Sequence, residues 1–200
     1  MHKYIILLLI IGSFIFLDIA CNQCELTLEL RLTDQQKNQN PFKGFEKIIY
    51  KTGDSTVEFT GTGRNNWIEE FSISKFSCDW GEIELDEMKF VSHSYEIHYK
   101  MSGRNELDWF FIDNTNDIHL QSLFYVENDP SKNSGYDEFI DSLNVDGGLF
   151  FNIFKDHLFS PYDFPDSLNH AVNLYYSIEY GIVKFDFSDG STWELKEIVW

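Results

Sequence analysis

Basic residues are the first scarcity. Fifteen Lys and Arg stand against 33 Asp and Glu, for a net charge of −18. Such a surface repels nucleic acid phosphates, which excludes direct binding to DNA or RNA. It also repels anionic lipid headgroups, so any membrane attachment has to be covalent rather than electrostatic. Proline is scarce as well, with 4 in 200 residues, and no long rigid linker is expected. The chain has no internal repeat and no low-complexity tract. Its histidines, among them His93, His98, His119, His157 and His170, offer no pair at the close spacing that zinc sites use. His93 and His98, five apart, would fall on opposite faces of a strand. Asp113-Asn114-Thr115-Asn116-Asp117 is rich in hard oxygen donors, yet an EF-hand loop needs Gly sixth and Glu twelfth, where the chain has Ile118 and Phe124. The stretch reads as an acidic turn. No Gly-x-Ser-x-Gly and no Ser/His/Asp arrangement is present. No metal, cofactor or catalytic residue is therefore assigned.

Aromatic residues are abundant: 19 Phe, 10 Tyr and 5 Trp. A chain this aromatic can bury enough surface to offset its ordering entropy, which excludes disorder, and these residue types favour strands. Period-two alternation is without a fault in residues 25–32 (ELTLELRL), which predicts a half-buried strand with Leu26, Leu28, Leu30 and Leu32 on one face. Further strands are predicted at 47–51, 56–61, 66–74, 82–90, 95–101, 107–112, 117–127 and 149–154. Gly61-Thr62-Gly63-Arg64 has no helix after it to complete a phosphate cradle, so it reads as a hairpin turn. Residues 33–40 read as a polar loop. In residues 136–143 the positions Tyr136, Phe139, Ile140 and Leu143 fall at i, i+3, i+4, i+7, which predicts a helix. The clearest pattern is the run 171–198, three antiparallel strands joined by turns at Tyr180-Gly181 and Asp189-Gly190. The expected fold is mainly β: an antiparallel, curled or closed sheet (meander, half-barrel or sandwich) with one or two short helices.

Tyr175, Tyr176, Tyr180, Gly181, Asp189, Gly190 and Trp193 together resemble the C-terminal ends of small exported bacterial lipoproteins. The resemblance is confined to this run and implies no activity. The N-terminus agrees with an exported address. Met1-His2-Lys3 is a short basic region, and residues 4–17 (YIILLLIIGSFIFL) form an apolar segment of signal-peptide length. Leu17-Asp18-Ile19-Ala20-Cys21 resembles a lipobox, which implies lipid on the Cys21 thiol. It departs from that motif at Asp18, where leucine is usual, and at the bulky Ile19. Residues 1–20 are expected to be a signal peptide and 21–200 a single β-rich domain of the cell envelope, lipid-anchored at Cys21. The alternative address is a soluble secreted or periplasmic protein. The chain has three cysteines. If Cys21 carries lipid, Cys24 and Cys78 remain to form a disulfide. The rival, a redox pair Cys21–Cys24, lacks the helix that such motifs open.

These readings favour a non-enzymatic binding module. The charge points to a basic protein partner, and exposed aromatics to a small ligand. Trp67, Trp80, Trp109, Tyr162, Phe164 and Trp193 are the aromatics to watch, Tyr162 and Phe164 foremost because of their loop context. The alternative is an envelope hydrolase using a carboxylate pair, although with 33 acidic residues no spacing singles one out.

Overall fold

The computed structural model describes residues 24–74, 79–160, 165 and 167–200. Among them are twelve strands: β1 (Leu26–Leu30), β2 (Lys47–Thr52), β3 (Ser55–Ser72), β4 (Trp80–Val91), β5 (Tyr95–Ser102), β6 (Glu106–Asp113), β7 (Ile118–Tyr125), β8 (Glu138–Val145), β9 (Gly148–His157), β10 (Ala171–Ser177), β11 (Gly181–Phe187) and β12 (Thr192–Val199). One short helix, α1 (Asp34–Lys37), and a 3-10 turn at Pro130–Lys132 complete the regular structure. The protein is mainly β and its sheet is antiparallel apart from β1. Two compact units divide the chain. The larger is Arg31–Trp67 with Glu84–Trp200, and the smaller contains residues 24–30 and the described part of Ile68–Ile83.

In the larger unit the strands follow the order β7-β6-β5-β4-β3-β2-β12-β11-β10-β9-β8. The β8–β9 link, Asp146-Gly147, has both residues at positive φ (44° and 82°), the two-residue geometry that matches strand twist. The sheet curls. Phe111 on β6 and Phe185 on β11 stand six strand positions apart, which in a flat sheet would separate them by roughly 29 Å. Their ring centroids are 5.1 Å apart. The β7 edge then meets the chain just beyond β9: Gln121 and Phe159 exchange backbone hydrogen bonds of 2.7 and 2.9 Å.

Side chains fill the inside of this curl. Trp193 is 6% exposed, with Tyr95 and Phe187 at centroid distances of 4.8 and 4.9 Å and Phe111 at 5.7 Å. Tyr50 and Tyr176, both wholly buried, donate their hydroxyls to the carbonyls of Ile182 (2.8 Å) and Gln39. Burial pushes both hydroxyls well above the ordinary tyrosine range, so each stays protonated as a donor. Trp109 is buried against Tyr99 and Tyr176, and its Nε1 has no hydrogen-bond partner among the described residues. Among the described residues these aromatic side chains, with Phe59, Phe111 and Phe185, fill the curl.

Four local expectations are corrected. Residues 136–143 form no helix; Glu138–Val145 is strand, paired to β9 through Ile140↔Ile153, Ser142↔Phe151 and Val145↔Gly148. A helix of eight residues is marginal alone, and the ladder closed by Asp146-Gly147 outweighs its periodicity. Gly61-Thr62-Gly63-Arg64 makes no hairpin but lies within β3. Its glycines admit a neighbouring backbone: Gly63 donates to the Gly44 carbonyl at 2.7 Å, and a Cβ on Gly61 would stand 2.3 Å from that same oxygen. The segment 33–40 carries α1, started by a capping box in which Thr33 Oγ1 accepts from the Gln36 N–H and Gln36 Oε1 from the Thr33 N–H. In the smaller unit, β1 pairs in parallel with β4; Leu26 and Leu28 are 37% and 40% exposed, whereas Leu30 is half-buried, and Leu32, beyond the strand, is buried. Leu28 stands opposite Gly81, which has no side chain to cover it.

Candidate functional site

The β8–β9 hairpin carries a conformational irregularity that shapes a cavity. Asn152, in the middle of β9, has φ +54°, a left-handed conformation that asparagine tolerates better than most residues. It breaks the strand's period of two. Phe151 and Asn152 are both exposed, whereas Ile153 and Phe154 are both buried. Phe154 turns inward, stacked on Phe124 at 6.0 Å, with Tyr136 at 5.0 Å and Phe139 at 5.4 Å. Phe139 on β8 and Phe151 on β9 stay 43% and 57% exposed.

These three phenylalanines, with Pro130 and Ile178, line a cavity of about 360 Å³. Its polar groups are Asp129, Ser131, Asn152, Ser177 and Glu179. Asp129 caps the Pro130–Lys132 turn, accepting from the Ser131 hydroxyl at 2.8 Å and the Ser131 N–H at 3.1 Å. Those two donors hold its carboxyl below the usual carboxylate range. Ser177 Oγ accepts from the Glu179 N–H at 3.3 Å, which fixes the turn that presents Glu179. The Glu179 carboxylate makes no hydrogen bond or ion pair among the described residues. Apolar walls, two negative groups and an open polar rim suit an apolar group that carries a positive charge.

A second cleft, of about 730 Å³, lies beside α1 and is lined by Lys37, Lys43, Arg64, Asn66 and Asp86 among others. Three of its charged side chains, Lys37, Arg64 and Asp86, are already engaged in ion pairs. Arg64 grips the wholly buried Asp86 through Nε (2.9 Å) and Nη2 (2.5 Å), and Nη1 reaches the Phe42 carbonyl at 3.0 Å. Glu84 accepts from Lys37 (2.7 Å), Asn66 (2.8 Å) and the Leu32 N–H (3.0 Å). Burial pushes the Glu84 carboxyl up, and these donors more than reverse it, leaving it below the usual range. This is a network that fastens a polar segment to the sheet. Asp108 and Asp156, which burial raises above the ordinary carboxylate range, line neither cavity. No group of three or more metal-ligating side chains is found among the described residues.

Of the residues singled out by sequence, Cys21, Cys78, Tyr162 and Phe164 lie outside the described residues, as does the segment 1–20. Cys24 is disulfide-bonded. Trp109 and Trp193 belong to the core, and Trp67 is 36% exposed. The acidic stretch 113–117 is a turn, in which Asp113 Oδ1 accepts from the Thr115 N–H at 2.8 Å. Sequence reasoning missed Phe139 and Phe151. The signal was present, because a hairpin closed at Asp146-Gly147 makes residues 138–145 the mirror of 148–155, and a helix there leaves β9 without that partner. No family model, curated protein or solved structure matches the chain.

Proposed function

We propose that the chain is an exported, non-enzymatic binding module, held at the cell envelope by lipid on Cys21, that takes a basic protein partner at the β8–β9 cavity. A single observation carries the reading. Phe139 and Phe151, both large and apolar, are left exposed above buried Phe154, beside a Glu179 carboxylate with no cation among the described residues. Exposed aromatics at the mouth of a cavity are costly in water and are the residues that dominate interface energetics. The net charge of −18 supports a basic partner over an acidic one, and the lipobox-like Leu17–Cys21 supports the address.

The test uses the full chain purified from membranes in mild detergent and immobilised. At low salt it retains a basic protein from an envelope extract, salt releases that protein, and the Phe151→Ser variant fails to retain it. Intact mass of the same preparation carries the diacylglyceryl increment on Cys21. Retention that Phe151→Ser leaves unchanged overturns the site, and retention of nothing overturns the function.

A further inference from the structure

The two edges of the large sheet are unlike. The β7 edge is closed at two places. Gln121 pairs with Phe159, and Tyr125 pairs with Ser134 through bonds of 2.7 and 3.0 Å. The other edge, β8, pairs among the described residues with β9 alone. Its outward N–H and C=O groups form a row along an eight-residue strand. Folded proteins normally blunt such an edge with lysine, proline or a covering segment. β8 has neither lysine nor proline, and it carries exposed Phe139 within it.

Charge identifies what this edge admits. Asp137, Glu138 and Asp141 lie along it, and Glu179 stands at the cavity that Phe139 lines. Only Glu138 has a cation in reach, Lys155 at 3.2 Å, while Asp141 and Glu179 have none among the described residues. A second copy of this chain would bring the same carboxylates against themselves, and like charges face to face oppose association. A basic segment would neutralise them. We infer that the free edge of β8 accepts an extended, basic polypeptide segment as an added strand, with an apolar side chain of that segment seated against Phe139, Phe151 and Phe154. Main-chain hydrogen bonds to β8 supply the affinity, and alternate side chains reach the cavity and the carboxylates. The inference rests on the cavity being the binding site and adds the partner's conformation and chemistry.

The probe is a short synthetic peptide alternating lysine with phenylalanine or valine, added to the full chain in detergent at low salt. Two controls accompany it, one with alternate backbone amides N-methylated and one with glutamate for lysine. Binding is read by fluorescence anisotropy and by amide hydrogen exchange along the chain. The lysine peptide binds and slows exchange in Glu138–Val145 selectively. The glutamate peptide does not bind. The N-methylated peptide is weaker by roughly thirtyfold or more, the loss expected for two or three missing hydrogen bonds. Asp141→Lys, an exposed substitution that leaves the core untouched, weakens the lysine peptide as well. Equal binding of the N-methylated peptide with β8 exchange unchanged overturns strand addition and leaves the cavity reading standing. Failure of the lysine peptide to bind, while retention from extract still depends on Phe151, does the same. Protection of β8 that rises with protein concentration alone assigns the edge to a second copy and overturns the basic partner. Loss of both peptide binding and extract retention removes the underlying function.

Discussion

Asp156 shows how much a single buried carboxylate can say about this fold. It is 6% exposed on β9 and accepts a hydrogen bond from the Ser122 hydroxyl of β7, next to the seam where Gln121 meets Phe159. Burial raises its pKa, and the bond from Ser122 opposes that without cancelling it. The folded chain thus holds this proton more tightly than the unfolded chain does. Its contribution is most favourable below the ordinary carboxylate range, near pH 4, and is lost as pH rises through the raised value. Asp156→Asn keeps an acceptor for Ser122 and removes the charge. Relative to the native chain, the variant should gain stability on going from pH 3 to pH 7, read from urea melts at each pH. A variant that loses stability at pH 7 would show that the carboxylate is paired favourably rather than merely buried. The same scale explains why the site was hard to read. Phe139 and Phe151 are two of 19 phenylalanines, and the exposure of Phe151 goes with the left-handed Asn152 that breaks the alternation of β9. A φ angle leaves no mark in composition.

At the scale of elements, the C-terminal meander was legible because its turns and its alternation agree. β10, β11 and β12 pair in the order expected, and the turn at residues 178–180 leads into Gly181 at the start of β11. Gly181 does more than turn: at φ +73° its Cα lies so close to Phe42 that a Cβ would stand 2.3 Å from the ring. What was not legible depends on partners distant in the chain. The glycines of 61-Gly-Thr-Gly-63 resemble a turn until the Gly44 backbone is placed beside them. The helical spacing in residues 136–143 is real but is overridden by the hairpin. Gly61→Ala tests the first of these. With backbone atoms of Gly44 at 2.3 and 2.6 Å from the added Cβ, the segment has to shift, at a cost of about 1–3 kcal/mol. A lower urea midpoint with unchanged slope is the expected outcome; an unchanged midpoint would mean that the Gly44 segment is not packed on β3.

At the scale of the whole molecule, charge and aromatic content set the account. An aromatic-rich sheet can fill its own curl, and among the described residues it does so around Trp193. The charge of −18 opposes close approach of two copies. Mainly β architecture and the curl were legible in the sequence, since both follow from pattern and residue type. The location of the cavity was not, because it arises where one irregular strand meets a turn from elsewhere in the chain. The central claim is that partners meet the protein at the β8–β9 cavity, and site-specific photo-crosslinking in the intact envelope tests it most directly. A photoreactive residue replaces Phe151 in one variant and Asp189, in the β11–β12 turn, in another. The account predicts a discrete, salt-sensitive adduct from position 151 and none from position 189. An adduct from 189 with none from 151 would contradict it.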